Sequence, residues 1–209
     1  MTFPNFIVKV CGITRREDAV AAAEAGASAI GFVFYPKSPR FVAPDIATKL
    51  AEGLPLWKVG IFVNEPPAMI AAVMSAALLD VAQIYGGEAP PHTRVWKAFR
   101  VEHSFDASLG VGAEGVLLDG TGNGKLFDWS IARDLTRQNS TVKVIVAGGL
   151  NASNVADAVR TVRPWGVDAS SSLETSPGVK DHAKVRSFVE AALGAAREIA
   201  GPELAKEIS

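Results

Sequence analysis

The sequence lacks a second cysteine, a marked excess of charge and any long apolar run. Cys11 is the single cysteine among 209 residues, which excludes an intramolecular disulfide. The 21 basic and 22 acidic residues give a net charge of -1, so the chain has no basic field of the kind that binds nucleic acid. The apolar runs are far shorter than the roughly 18 consecutive residues that suggest a membrane span. We therefore expect neither a nucleic-acid nor a membrane partner.

A targeting signal and a metal-binding pattern are also missing. The N-terminal stretch "MTFPNFIVKV" has no basic region followed by an apolar segment and a small-residue cleavage site, which together with the single cysteine predicts a cytoplasmic protein. His92, His103 and His182 show no metal-ligand spacing. We assign the histidines to the surface and expect no metal site.

Short apolar runs rich in β-branched residues alternate with alanine-rich stretches of helical spacing. The eight candidate strands lie in "FIVKVCGI", "SAIGFVFY", "WKVGIFVN", "DVAQIYG", "RVWKAFRV", "GVLLDG", "VKVIVAGG" and "GVDASSS". Parallel strands need long crossovers, so this alternation predicts an α/β fold, and eight units predict a closed (β/α)8 TIM barrel. The rival is an open doubly wound sheet, but no G-x-G-x-x-G turn follows the first strand.

We expect a single (β/α)8-barrel domain over residues 1–209, with shortened connections after strands 4 and 5. The stretch "GEAPPHT" between these two strands is too short for a full helix, and "EHSFDASLGVGA" after strand 5 has little helical periodicity. Pro66 and Pro67 open the third helical stretch, and Gly26 closes the first. A closing amphipathic helix precedes a tail, residues 201–209, that is expected to fray.

Cys11 lies at the carboxyl end of the first predicted strand, which is where (β/α)8 barrels place functional residues. Side chains alternate along a strand, so Lys9 and Cys11 share one face, the barrel interior if Val10 packs outward. A nearby ammonium favours the thiolate, the form that acts as a base or nucleophile. A cysteine that merely fills the core is an alternative of equal weight on this evidence.

Asp119 ends the otherwise apolar strand "GVLLDG". Burial raises the pKa of a carboxyl group, which is the condition that a general acid requires. Strands 1 and 6 lie well apart around a barrel, so Cys11 and Asp119 are predicted to face each other across its mouth. The alternative is that Asp119 only caps the glycine-rich turn that follows.

Glycine and serine residues cluster after strands 7 and 8. Gly148 and Gly149 precede a helix in "VIVAGGLNASNV", and Ser171 and Ser172 lie in "DASSSLETSPGVKD". In (β/α)8 barrels these two loops, with a short extra helix, frequently bind phosphate through backbone N–H groups. Turn chemistry alone is the alternative.

Two further loops contain cations. Arg40 in "YPKSPRFV" has the planar guanidinium that suits a substrate carboxylate, although a solvated arginine is the commoner case. The segment "DGTGNGKLFDW" resembles a flexible flap that carries Lys125, with an ordinary surface loop as the alternative.

Taken in order, these motifs resemble those of the phosphoribosylanthranilate isomerase family. The resemblance spans about residues 7–188 and rests on "KVCGIT", "GFVFYPKSPR", "VGIFVN", "LLD" with the following loop and "FDW", "AGGLNASNV" and "VDASSSLETSPGVKD". It implies a (β/α)8 barrel that catalyses the Amadori rearrangement of N-(5-phospho-β-D-ribosyl)anthranilate to 1-(2-carboxyphenylamino)-1-deoxy-D-ribulose 5-phosphate in L-tryptophan biosynthesis. It also implies that neither a metal nor an organic cofactor takes part.

The resemblance further implies individual roles. The general base falls on Cys11, the general acid on Asp119 and the contact to the anthranilate carboxylate on Arg40. The remaining expected substrate-binding residues are Gln83, Gly148, Gly149, Ser171 and Ser172.

Two residues depart from the family pattern. Tyr85 stands where the family usually has histidine, and Ser172 stands where it usually has glycine. One alternative function is the related sugar-phosphate isomerase barrel of histidine biosynthesis, which uses an aspartate at the end of strand 1, so Cys11 argues against it. The other is a barrel that binds a phosphorylated ligand without turnover. The changes at Tyr85 and Ser172 leave it open, and the presence of both Cys11 and Asp119 argues against it. The chain is expected to be a monomer or a homodimer.

Overall fold

A computed structural model of the chain describes residues 6–120, 127–138 and 142–204. The segment 121–126, which holds the predicted flap and Lys125, lies outside the described residues, as do residues 205–209 of the predicted tail. Within the described ranges, eight parallel strands close into a barrel in sequence order, and the last strand pairs with the first. The predicted (β/α)8 TIM barrel is confirmed.

The strands and helices of the described ranges follow the predicted alternation. The barrel strands are β1 (Ile7–Cys11), β2 (Ala29–Val33), β3 (Trp57–Val63), β4 (Val81–Tyr85), β5 (Val95–Arg100), β6 (Gly115–Asp119), β7 (Lys143–Val146) and β8 (Gly166–Ala169). A small antiparallel pair follows, β9 (Glu174–Ser176) and β10 (Val179–Lys180). The α-helices are α1 (Arg16–Glu24), α2 (Pro44–Ala51), α3 (Pro67–Ala76), α4 (Trp129–Gln138), α5 (Val155–Val162) and α6 (His182–Leu204).

Both predicted shortenings are present. Residues 86–94 connect β4 to β5 without a helix. After β5, the single regular element before β6 is a short 3-10 helix, Ala107–Gly110. The side chain of Asp106 caps it by accepting a hydrogen bond from the backbone N–H of Ser108. The outer helical layer is therefore missing after β4 and reduced to this 3-10 helix after β5, although residues 81–84 of β4 stay buried.

Proline and glycine mark helix ends where the sequence predicted them. Helix α3 begins at Pro67, with Pro66 at the N-cap position, because a proline at the first turn loses no helical hydrogen bond. Gly26 follows α1 with a φ of 88°, a left-handed conformation that glycine adopts without strain. Helix α6 extends to Leu204, past the predicted boundary at residue 200. Fraying of the remaining residues stays a prediction.

Two apolar layers hold the barrel together. Outward-facing strand residues such as Val10 and Phe32 pack under the helices, as predicted for Val10. Inward-facing residues such as Ile7, Trp96 and Leu117 fill the interior. Each fully buried side chain of this size contributes about 1.5–3 kcal/mol. The interior therefore needs no polar groups for stability, and those that it holds near the carboxyl ends of the strands call for another explanation.

The surface agrees with the sequence in two respects. His92, His103 and His182 are all exposed, as predicted. The Nε2 atom of His182 also lies 2.9 Å from Oδ1 of the buried Asp18, which holds the start of α6 against α1. No helix among the described residues is both long and apolar enough to cross a membrane.

Candidate active site

A cavity of about 690 Å³ lies at the carboxyl ends of the barrel strands. The carboxyl ends of parallel strands meet at one edge, so residues far apart in the sequence converge there. All of the residues that the sequence predicted for catalysis or substrate binding line this cavity, namely Cys11, Arg40, Gln83, Asp119, Gly148, Gly149, Ser171 and Ser172.

Cys11 is the last residue of β1 and is 8% exposed. Lys9 shares the inward face of β1 with Cys11, as the alternation predicted. Gly31 on β2 leaves space for both side chains, since a Cβ atom there would lie 2.8 Å from Sγ of Cys11 and 3.1 Å from Cε of Lys9. The thiol is therefore largely buried and lines the cavity.

The pKa of the Cys11 thiol is raised above its ordinary value. Burial is the main cause, because it penalises the thiolate, and the ammonium of Lys9 opposes the rise without overcoming it. The expectation that Lys9 favours the thiolate is therefore correct in sign, but burial outweighs it and the net pKa is raised. Lys9 is itself paired with Asp168, whose negative charge raises the pKa of Cys11 further.

Lys9 and Asp168 form an ion pair inside the barrel. They are register partners on β1 and β8, and the Nζ atom of Lys9 donates to Oδ1 of Asp168 at 2.9 Å. Burial lowers the pKa of Lys9, but the charges of Asp168 and Cys11 and the hydrogen bonds to them more than compensate, so the net pKa is raised. Asp168 was not predicted from the sequence. The available signal was a carboxylate at an inward position of the short strand β8, by the argument used for Asp119.

Asp119 is the last residue of β6, and its pKa is raised to about 6. Burial is the main cause and the neighbouring Asp168 adds to it, whereas a hydrogen bond from Tyr85 and the charges of Arg100 and Lys9 oppose it. The rise predicted from burial is confirmed. Because the pKa of Cys11 is also raised, the form with a protonated Asp119 and an ionised Cys11 is a minor one in the ligand-free site.

Tyr85 connects Asp119 on β6 to Gln83, which lies with Tyr85 on β4. The Oη atom of Tyr85 donates to Oδ2 of Asp119 at 3.2 Å, and Nε2 of Gln83 donates to the Tyr85 hydroxyl at 3.4 Å. The Oε1 atom of Gln83 is buried and has no hydrogen-bond partner among the described residues. Such an acceptor lining the cavity is available to a hydroxyl or N–H group of a ligand.

Arg40 enters the cavity from the loop after β2 and packs over the turn that follows Cys11. Its Nε and Nη2 atoms donate to Oε1 and Oε2 of Glu174 at 2.7 and 2.6 Å. Gly12 accommodates the arginine, because its φ is 76° and an added Cβ would lie 2.5 Å from Cδ of Arg40. Glu174 was not selected from the sequence, since nothing local to "ETSPGVKD" shows which cation it meets.

The glycine and serine loops lie side by side in the cavity lining. Gly148 has a φ of 81°, and an added Cβ would contact the backbone nitrogen of Gly120 and lie 2.9 Å from Oδ1 of Asp119. Gly149 has a φ of 67°. No other residue type fits at Gly148, because the conformation is left-handed and the space is filled.

Ser171 begins the short 3-10 helix Ser171–Leu173, which corresponds to the short extra helix that (β/α)8 barrels often have near these loops. The hydroxyl of Ser172 donates to the backbone carbonyl of Leu150, which joins the loop after β8 to the loop after β7. A side chain at this position is thus tolerated, since a 3-10 helix uses right-handed backbone and the hydroxyl is bonded to the neighbouring loop.

Known proteins of one family match nearly the whole chain. The family model of N-(5'phosphoribosyl)anthranilate (PRA) isomerase matches residues 8–191. The N-(5'-phosphoribosyl)anthranilate isomerase of Solibacter usitatus (strain Ellin6076) is 48% identical over 202 residues, which cover 90% of this chain and 98% of that protein.

Solved structures give the same answer. The crystal structure of phosphoribosyl anthranilate isomerase from Thermotoga maritima superposes with a TM-score of 0.80 at 39% identity, covering 90% of this chain and 99% of that one. A second structure, of the isomerase in complex with reduced 1-(o-carboxyphenylamino)-1-deoxyribulose 5-phosphate, superposes with a TM-score of 0.79 at 38% identity, with the same coverage. The chain belongs to the N-(5'-phosphoribosyl)anthranilate isomerase family.

Proposed function

We propose that the chain catalyses the Amadori rearrangement of N-(5-phospho-β-D-ribosyl)anthranilate to 1-(2-carboxyphenylamino)-1-deoxy-D-ribulose 5-phosphate, a step of L-tryptophan biosynthesis. One observation carries this proposal. A buried thiol, Cys11, and a carboxyl group of raised pKa, Asp119, line one cavity from the ends of β1 and β6. An acid and a base on different walls of one cavity are what an aldose-to-ketose isomerisation requires.

Two groups of residues in the cavity lining suit the two anionic groups of this substrate. We assign the phosphate to the backbone around Gly148, Gly149, Ser171 and Ser172, because the N-terminal ends of helical turns favour anions. We assign the anthranilate carboxylate to Arg40. A guanidinium has five N–H donors, and Glu174 takes two of them, which leaves three for a carboxylate.

The first chemical step is ring opening. Asp119 protonates the ribose ring oxygen while the lone pair of the anthranilate nitrogen forms a C=N bond to C1′ and the bond from C1′ to the ring oxygen breaks. The product is an iminium ion. The substrate nitrogen is the electron sink, so the residues of the cavity supply only proton transfer and position.

The second step is proton abstraction from C2′. The thiolate of Cys11 takes this proton, and the electrons of the C–H bond neutralise the iminium to give an enolamine. A tautomeric shift of the enol proton to C1′ then yields the C2′ ketone. The positive charge of the iminium opposes the burial penalty on the thiolate, so the raised pKa of Cys11 in the ligand-free site falls when the intermediate forms.

The test is an assay with the purified chain and freshly prepared N-(5-phosphoribosyl)anthranilate. We expect the anthranilate-type fluorescence to fall at a rate proportional to enzyme concentration, with the ketose product identified by chromatography. Binding of the substrate without a change in its fluorescence over time would indicate a barrel that binds and does not catalyse. Turnover of the histidine-pathway sugar phosphate instead would indicate the related isomerase. Cytoplasmic location and a monomeric or homodimeric state stay predictions.

A further inference from the structure

We propose that Tyr85 is a positioning residue for Asp119. The hydroxyl of Tyr85 orients the carboxyl group of Asp119 and stabilises the carboxylate that forms when Asp119 gives up its proton. This inference rests on the proposed function, in which Asp119 is the general acid. It assigns a role to the residue that departs from the usual histidine of the family.

The geometry of three neighbouring strands brings the two side chains together. Tyr85 ends β4 and Asp119 ends β6, with β5 between them. The inward residue of β5 at this level is Ala98, the register partner of Tyr85. Its single methyl group leaves room for the tyrosine ring to reach across β5, and Oη of Tyr85 lies 3.2 Å from Oδ2 of Asp119.

The direction of the hydrogen bond is set by Gln83. The Nε2 group of Gln83 donates to the Tyr85 oxygen at 3.4 Å, so this oxygen acts as an acceptor on one side and its proton is free to point at Asp119. Burial and the nearby carboxylates raise the pKa of Tyr85 well above its ordinary value of 10.0. Tyr85 therefore remains a neutral O–H donor throughout the working pH range of the enzyme.

Tyr85 is also distinct from the other groups that face Asp119. Asp168 on β8 favours the protonated form of Asp119, whereas Arg100 on β5 and Lys9 on β1 favour its ionised form through their charges. Among the described residues, Tyr85 alone donates a hydrogen bond to the carboxyl group. The charges of Asp168, Arg100 and Lys9 affect the pKa of Asp119. Only Tyr85 also orients its carboxyl group, through the hydrogen bond.

The experiment compares the wild-type chain with Tyr85→Phe, which keeps the ring and removes the hydroxyl. The carboxyl carbon of Asp119 is titrated by NMR in protein labelled at aspartate, with Asp119→Asn assigning the signal. We expect the midpoint to lie near pH 6 in the wild type and to move upward by roughly one pH unit in Tyr85→Phe. The inflection near pH 6 in the kcat/KM profile should move in the same direction.

The kinetic constants give a second readout. We expect kcat of Tyr85→Phe to fall roughly threefold to tenfold, because the carboxylate formed during ring opening loses its donor. KM should change less than about twofold, since the ring that lines the cavity is retained. Tyr35→Phe is the matched control. Tyr35 also lines the cavity but is not a hydrogen-bond partner of Asp119, so this variant should leave the Asp119 titration in place.

A complementary measurement avoids any loss of packing. In the Tyr35→Phe background Tyr85 is the only tyrosine, so 3-fluorotyrosine can be incorporated at that position alone. The more acidic phenol donates a stronger hydrogen bond, and the Asp119 midpoint should move to lower pH. This variant keeps the proposal testable even where Tyr85→Phe folds poorly.

The outcomes separate this proposal from the proposed function. An unchanged Asp119 midpoint in both altered proteins would overturn the role of Tyr85, and a fall in kcat with an unchanged midpoint would reduce Tyr85 to a cavity-filling residue. A wild-type chain that fails to isomerise the substrate would overturn the proposed function instead. The NMR titration would still report on Tyr85 in that case, because it needs no turnover.

Discussion

The carboxylate of Glu174 holds Arg40 in one plane, through the pairs Nε to Oε1 and Nη2 to Oε2. Lys180, whose side chain is fully buried, donates to Oε1 of Glu174 at 2.9 Å. Burial raises the pKa of Glu174, but the hydrogen bonds of Arg40 and Lys180 outweigh it, so the net pKa is lowered and Glu174 stays ionised. Arg40 is thus oriented before a substrate arrives.

We expect Arg40→Ala to weaken substrate binding and Arg40→Lys to recover only part of it. Lysine restores the charge but not the planar fork that lets one edge bind Glu174 and another bind a carboxylate. KM and the inhibition constant of the reduced product analogue measure the effect. Arg160→Lys is the control, because Arg160 pairs with Glu198 at the exposed surface, far from the cavity. Full recovery in Arg40→Lys would show that Arg40 contributes only a diffuse charge.

Cys11→Ser should lose most of the turnover and keep the fold and the substrate affinity. A hydroxyl ionises at far higher pH than a thiol, and burial that already raises the pKa of Cys11 would disfavour an alkoxide even more. We expect kcat to fall by roughly 10²–10⁴-fold with little change in KM. The melting temperature checks the fold. Turnover close to that of the wild type would return Cys11 to the role of core filler.

The Lys9 and Asp168 pair gives a prediction about stability. Asp168→Asn removes the charge that Lys9 needs, and a buried ion left without its partner costs roughly 3–5 kcal/mol. Urea unfolding at pH 7 measures the loss. The matched control is Asp45→Asn, which breaks the exposed pair of Asp45 and Lys49 at 3.6 Å and should cost less than about 1 kcal/mol. Equal losses in both variants would mean that Lys9 becomes neutral or finds another partner.

The sequence predicts the parts of this site that depend on neighbouring residues, and not those that depend on residues far apart in the chain. Alternating apolar residues and the turn signals around them are local, so the strands and the positions of Cys11 and Asp119 at their ends could be predicted. The partners of these residues could not. Lys9 and Asp168 are 159 residues apart, and Arg40 and Glu174 are 134 residues apart, so only the closed barrel brings them together.

The pKa of Cys11 shows a second limit. The sequence placed Lys9 beside the thiol and correctly gave the sign of its effect, but the net pKa depends on a competition between that charge and burial. Burial of the thiol is set by Gly31 and the barrel closure, and Lys9 is partly neutralised by Asp168. Neither the burial of Cys11 nor the neutralisation of Lys9 can be predicted from a local sequence pattern. For Asp119 burial and Asp168 act in the same direction, and the predicted rise was correct.

Crystals grown or soaked with inorganic phosphate should show the anion against the backbone N–H groups of Gly148, Gly149, Ser171 and Ser172. The two loops converge there, joined by the hydrogen bond from Ser172 to Leu150. The left-handed glycine at 148 lets the chain turn closely enough to present successive N–H groups. Electron density for the anion at segment 121–126 instead would move the phosphate site and reverse the proposed orientation of the substrate.

Asp119→Asn should abolish ring opening while ligand binding persists. The amide is nearly isosteric with the acid and can accept the hydrogen bond of Tyr85, but it cannot deliver a proton to the ring oxygen. We expect kcat to fall by roughly 10²–10⁴-fold, with the affinity for the reduced product analogue close to that of the wild type. Turnover at the wild-type rate would refute the assignment of Asp119 as the acid.

The same substitution should stabilise the fold above pH 6. The pKa of Asp119 in the folded chain, about 6, exceeds its ordinary value of 3.8, so folding favours the protonated form. The stability that this group contributes is fully present below about pH 3.8 and is lost as the pH rises through about 6. Asparagine does not titrate, so the free energy of unfolding of Asp119→Asn should equal that of the wild type at pH 3.5. The difference should grow between pH 3.8 and 6 and reach at most roughly 2–3 kcal/mol above pH 7.

Urea unfolding at pH 3.5 and pH 8 measures the difference. Asp106→Asn is the control of opposite sign, because the hydrogen bonds from Ser108 lower the pKa of the exposed Asp106 and its removal gives no gain at high pH. If Asp119→Asn is more stable than the wild type by the same amount at both pH values, burial does not raise the pKa of Asp119. A pKa near 6 would then need another cause.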